Sequence, residues 1–174
     1  MKLAKKVRGF TLIEILVVIG IIAVLATIVI VAINPAKQFA QARNTQRTSN
    51  IGTILNAIGQ RIADNKGIFD GKFTIGDEYE CPELTTDTIY AIQSIASGPN
   101  PDNTAKIVDL SCLVPTYIPS QIPVDPVDGE WTDIEDYDTQ YTVVVDEAGR
   151  YTVAAPNSAD ETAVESQEEI SLTR

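Results

Sequence analysis

The chain has 174 residues, 24 Asp and Glu against 13 Lys and Arg, a formal net charge of −11, two cysteines and no histidine. That length accommodates one domain and one membrane anchor. Without histidine or a Cys-x-x-Cys spacing, zinc and dithiol redox sites have no residues to build on; serines such as Ser94 and Ser120 lack a base at motif spacing, so no enzyme is expected.

The first 36 residues carry the strongest pattern. Lys2, Lys5, Lys6 and Arg8 precede a Gly9-Phe10 junction, Glu14 follows, and Ile15 to Ile33 are 19 residues without a charged side chain. A run of this length predicts a helix able to cross a bilayer, whose hydrocarbon core takes about 20 apolar residues. The basic cluster on its N-terminal side retains that end in the cytoplasm and places everything after about residue 37 outside. A cleaved secretory signal would have its small-residue site after the apolar run. Here the conspicuous small residue, Gly9, lies before it.

The stretch Arg8-Gly9-Phe10-Thr11-Leu12-Ile13-Glu14, followed directly by the apolar run, resembles the class III leader of type IV prepilins and of the pseudopilins of type II secretion. The resemblance spans residues 5–36 and fades beyond residue 66. It implies cleavage between Gly9 and Phe10 by a prepilin peptidase, N-methylation of Phe10, and self-assembly into a helical filament. Glu14 would then pair with the N-terminal amine of a neighbouring subunit. Physical chemistry agrees with that role, because an ionised carboxylate inside a bilayer or fibre core is costly unless paired. The expected organisation is a leader over 1–9, a transmembrane and filament-core helix over 10–36, and an extracytoplasmic domain over 37–174.

Beyond the apolar run, Ile51, Ile54, Leu55, Ile58 and Ile62 recur at helical spacing, with Arg47, Asn50, Gln60, Arg61 and Asp64 assigned to the other faces. One helix from Phe10 to Asn65 would be roughly 85 Å long. Asn34-Pro35 predicts a kink or an unwound stretch within it, because proline lacks the backbone donor and clashes with the preceding turn. Gly52 and Gly59 suggest close packing against this outer half, residues 37–65. Lys66-Gly67 reads as the helix stop.

In the region 66–174, Ile89, Ile92, Ile95 and Ala96 predict a short helix from Asp87 to Ala96. Pro115, Pro119, Pro123 and Pro126 exclude a regular central strand. Gln140 to Ala155 predicts an antiparallel hairpin turning at Glu147-Ala148-Gly149, and Glu169 to Thr173 a third strand. The expected fold is α+β: a long N-terminal helix, transmembrane in its first half, packed on a small antiparallel sheet. That order is similar to the pilin fold.

Cys81 and Cys112 both fall in the extracytoplasmic segment, where a disulfide is the simplest reading and two buried free thiols the alternative. The proline-rich run Tyr117 to Pro126 is similar to the loop preceding the sheet in major pseudopilins, in which a later acidic loop binds calcium. That resemblance makes Asn157, Asp160 and Glu161 candidate calcium ligands. The loop here has no glycine, however, and a solvated acidic segment without a cofactor is the expectation.

Residues 70–174 hold 22 of the 24 acids and four bases, a net charge near −18 that disfavours nucleic acid. The bases Lys37, Arg43, Arg47, Arg61 and Lys66 lie along the predicted helix without interleaved aromatics, and read as partners for acidic faces of neighbouring subunits. The reading is a structural subunit of a type IV pilus-like filament: a single-pass cytoplasmic-membrane precursor that assembles, with pilus or secretion machinery, into a fibre at the cell surface or in the periplasm. The alternatives are a major pseudopilin of a type II secretion system and, from another class, a binding ectodomain on a plain membrane anchor.

Overall fold

The computed structural model describes residues 9–71, 80–94, 105–159, 161, 163, 164 and 168–174. Two compact units divide the chain, Met1–Phe39 and Ala40–Arg174.

The first unit contains helix α1, Leu12–Ile33, and the opening residues of α2, Pro35–Asp64. Thr11 caps α1: its hydroxyl oxygen accepts from the Glu14 N–H at 3.3 Å, while the Glu14 carboxylate accepts from the Thr11 N–H at 2.7 Å. This reciprocal pair satisfies two of the donors that every helix start leaves unbonded. No residue of α1 is buried. The helix ends at Asn34, which is left-handed (φ 47°). Asparagine tolerates that conformation, and the proline that follows disfavours the right-handed helical one. Pro35 then opens α2, where its missing N–H is harmless, and the Asn34 side-chain oxygen accepts from the Lys37 N–H at 3.3 Å. The expected irregularity at Asn34-Pro35 is thus a full break between two helices.

In the second unit, α2 runs to Asp64, and Lys66 (φ 59°) and Gly67 (φ 95°) turn the chain away, the Gly67 N–H bonding back to the Ile62 carbonyl at 2.8 Å. Six strands follow among the described residues: β1 Tyr90–Gln93, β2 Lys106–Val108, β3 Glu130–Trp131, β4 Tyr137–Val145, β5 Tyr151–Ala155 and β6 Ile170–Thr173. The sheet order is β2-β1-β4-β5-β6, with β3 also pairing β4. The hairpin β4–β5 sets Val143 opposite Val153 and Val145 opposite Tyr151, and β6 adds antiparallel to β5. Both features match the sequence expectation.

Two expectations are corrected. The segment placed in a helix from Asp87 to Ala96 contains β1, all four residues of which are buried between β2 and β4. A strand buried on both faces loses its alternation, and four or five apolar positions fit either period until the neighbours decide. The sheet is also mixed, because β1 and β2 run parallel. Residues 95–104 of that region lie outside the described set.

The core joins one stripe of α2 (Ile51, Ile54, Leu55, Ala57, Ile58) to the inner side of the sheet (Ile92, Tyr141, Val143, Val153, Ala155), closed by Leu110 and Leu113 around the 3-10 turn and by Ile118 and Ile122 from the proline-rich run. In β4 every second residue from Tyr137 to Val145 is buried. The Tyr137 hydroxyl donates to Asp109 at 2.8 Å and accepts from the Leu110 N–H at 2.9 Å, which fixes the loop entering the 3-10 turn Ser111–Leu113. Burial, with the Asp109 carboxylate nearby, pushes the Tyr137 phenol well above its usual range. Gly52 and Gly59 sit under Leu172 and Arg174: a Cβ at either would meet those side chains at 3.5–3.6 Å, an ordinary contact.

Cys81 and Cys112 form a disulfide with Cα atoms 5.3 Å apart and a sequence separation of 31. It ties the segment before β1 to the 3-10 turn. Chain-entropy arithmetic for a loop of this size gives roughly 3 to 4 kcal/mol. Cys81→Ser should therefore lower the stability of the second unit by about that amount in chemical denaturation, and alkylation of the unreduced wild-type protein should label no thiol; two labelled thiols would contradict the bridge.

Candidate functional site

Two groupings concentrate the chemistry: the N-terminal segment around Glu14, and an ionic cluster in the second unit.

At the N-terminus, Gly9 and Phe10 are exposed and non-helical, and a Cβ added to Gly9 would have open space around it. Phe10 is 85% exposed, and the large apolar side chains from Leu12 to Ile33 are all at least half exposed. Glu14 is the one acid in that stretch. Besides the Thr11 N–H, its carboxylate accepts from the Thr11 hydroxyl at 2.7 Å. The chain thus presents a helix with apolar side chains on every face, long enough to span a membrane, with one internally bonded carboxylate in its first turn.

The ionic cluster was not legible as such. Arg47, 1% exposed, lies on the same stripe of α2 as the apolar core, and not on the outer face assigned to it; Asn50 and Arg61 are buried likewise. Arg47 donates to both oxygens of the buried Asp125 (Nε to Oδ2 2.6 Å, Nη2 to Oδ1 3.2 Å). Its Nη1 bonds Glu161 at 2.8 Å and Asn44 at 2.9 Å. One turn earlier, Arg43 makes a two-pronged contact with Glu161, Nε to Oε1 at 2.5 Å and Nη2 to Oε2 at 2.6 Å. Two α2 arginines expected to face neighbouring subunits are instead paired within the chain. Arg61 donates to the carbonyls of Phe69 and Gly71, closing the loop after the helix.

Asp125 also organises its own turn: Oδ1 accepts from the N–H groups of Val127 (2.9 Å) and Asp128 (3.3 Å). A Cβ on Gly129 would collide with the Asp125 backbone, so the Asp125-to-Gly129 turn requires glycine at its close. Asn50 donates to the Val124 carbonyl at 2.8 Å and to the Tyr141 hydroxyl at 3.0 Å, tying this turn to β4; burial raises the Tyr141 phenol to about 12. The sequence signal was periodicity. Arg43, Arg47 and Asn50 extend the stripe of Ile51, Ile54 and Ile58 toward the N-terminus, and a charge on a buried stripe demands a partner.

The candidate calcium ligands separate on inspection. Both Glu161 oxygens are held by guanidinium groups, and the Asn157 amide donates to Asp128 at 3.1 Å. Asp160 lies outside the described residues. Among the described residues no group of three or more Cys, Asp or Glu side chains is arranged to hold a metal ion. A calcium ion at Glu161 would have to displace two arginines at hydrogen-bond distance, and would sit beside two positive charges. The described residues do not fit it.

Residues 4–30 match the family model described as the prokaryotic N-terminal methylation motif. No curated protein and no solved structure matches the chain. The matched segment is the class III prepilin leader of type IV pilins and pseudopilins, and it contains Gly9, Phe10 and Glu14. With an apolar helix leading into a small mixed sheet, it supports a type IV pilin-like or pseudopilin subunit. The motif implies prepilin-peptidase processing and filament assembly in general, and fits a membrane-anchored precursor.

Glu161 links this site to pH. The hydrogen bond from Arg43, with burial opposing and Arg47 adding, holds its carboxyl down to about 2 from an ordinary value of 4.5. A depressed folded-state pKa contributes stability in full above the unfolded value and loses it as pH falls toward the folded one. Wild-type protein should therefore lose stability between about pH 4.5 and about pH 2, and Glu161→Gln should flatten that part of the profile. Parallel profiles for the two proteins in denaturant titrations would contradict the assignment.

Proposed function

We propose that this chain is a structural subunit of a type IV pilus-like filament. A prepilin peptidase cleaves between Gly9 and Phe10 and methylates Phe10, and the subunit leaves the cytoplasmic membrane to assemble through its N-terminal helix. The observation that carries the reading is the uncovered helix α1: 22 apolar-rich residues with none buried, most of them within the methylation motif. Such a helix needs lipid first and copies of itself afterwards. In the precursor the basic leader holds the N-terminus in the cytoplasm and the domain from residue 37 onward stands outside. In the fibre Glu14 exchanges its Thr11 contacts for the amine of a neighbouring Phe10, which sets the register between subunits.

One observation favours a second reading, the major pseudopilin of a type II secretion system. The proline-rich run Tyr117 to Pro126 precedes strands β3 to β6 and packs Ile118 and Ile122 into the core. Against it stands the poor fit of calcium at Glu161, and the Cys81–Cys112 bridge leans toward a pilus. A binding ectodomain on a plain anchor would leave the leader uncut.

Mass spectrometry of the protein from cells separates both filament readings from the plain anchor: a filament subunit is expected as a mature chain beginning at N-methylated Phe10, and a chain beginning at Met1 selects the plain anchor. Gly9→Val should leave full-length precursor in the membrane, because a side chain there enlarges a position the peptidase accepts as glycine. Glu14→Ala should leave processing intact and reduce sheared filaments at least tenfold by electron microscopy. Wild-type filament abundance in that variant would refute the pairing role.

A further inference from the structure

We propose that Arg43 and Arg47 are built-in counter-ions that fasten the proline-rich turn at Asp125 and the post-hairpin segment at Glu161 onto α2, so that the extracytoplasmic domain folds without a divalent cation. Three segments far apart in sequence meet here. Arg43 and Arg47 come from consecutive turns of α2, Asp125 from the turn before β3, and Glu161 from the connection between β5 and β6. Two positive groups face two negative ones, and the ligand capacity is used within the chain. Glu161 accepts three hydrogen bonds from guanidinium groups, and Asp125 accepts two from Arg47 and two from the N–H groups of its own turn.

A hard cation gathers carboxylates by occupying the space between them; a planar guanidinium does the same through paired N–H groups in fixed geometry. The replacement has a consequence. A cation's contribution rises and falls with its concentration in the medium, whereas an arginine on the same chain is always present at the site. The domain carries a net charge near −18 beyond residue 69, yet these two carboxylates are withheld from any external ion. The inference is independent of which filament the subunit serves.

The test is thermal unfolding of the full chain in detergent micelles, followed by near-ultraviolet circular dichroism in calcium, in magnesium and in EDTA at equal ionic strength. Wild-type Tm should agree within about a degree across the three, and Arg43→Gln/Arg47→Gln should lower it by at least several degrees. A calcium-specific rise in wild-type Tm that Glu161→Gln removes would overturn the proposal, as would a double variant that melts with the wild type. Should the double variant fail to fold, Arg43 offers a milder probe because its side chain is 37% exposed. Arg43→Gln should then lower Tm in the wild type and have little effect in the Glu161→Gln background. Equal losses in both backgrounds would also overturn it.

Discussion

The helix α1 carries apolar side chains on every face, and none of its residues is buried. Seventeen large apolar side chains between Phe10 and Ile33 are at least half exposed. In water this represents an unfavourable free energy on the order of tens of kcal/mol, at about 1.5–3 kcal/mol for each large side chain left uncovered. The second unit has a hydrophobic core of its own. In the proposed function α1 is surrounded first by lipid and then by other copies of itself. There the basic leader orients insertion and Glu14 finds its partner in a neighbouring subunit. In the proposed filament, exchanging lipid for helix neighbours gains little hydrophobic free energy, so packing and the Glu14 contact must determine the assembled register.

The second unit solves a different problem. It must fold with strong negative charge and a sheet of short strands, and it does so by laying the sheet against one stripe of α2. At the N-terminal end of that stripe polar residues take over from apolar ones, and each is answered: Asn50 by Val124 and Tyr141, Arg47 by Asp125 and Glu161. Buried ion pairs are weak sources of net stability, yet removing one partner leaves an uncompensated charge and costs about 3–5 kcal/mol. The cluster joins the proline-rich turn and the segment at residue 161 to one end of α2. At the other end of α2, Arg61 serves the loop carbonyls of Phe69 and Gly71 in the same manner.

Much of this was legible in the sequence, and the exceptions share a cause. The leader, the apolar run, the helix stop at Lys66-Gly67 and the hairpin around Glu147-Ala148-Gly149 are local patterns, decided by residues within a few positions of one another. The strand β1 was misread because Tyr90–Gln93 takes its conformation from β2 and β4, whose residues are distant in sequence. Arg43 and Arg47 were assigned outward because charge is an exposed-surface signal until a partner is known, and their partners lie about 80 to 120 residues away. Asn34-Pro35 falls between these cases: the proline announced an interruption, but only the left-handed Asn34 shows that the helix ends and restarts.

The central claim is that α1 is covered by other copies of itself in the assembled state. Cysteine cross-linking tests it most directly, using Val18→Cys in the middle of α1, a position 50% exposed within the single chain. Oxidation of material sheared from cells should give disulfide-linked dimers of the mature chain, while the membrane fraction from cells lacking the prepilin peptidase should remain monomeric. Sheared filaments that form in normal amounts yet give no cross-link at Val18 or at its neighbours one helical turn away would contradict the account.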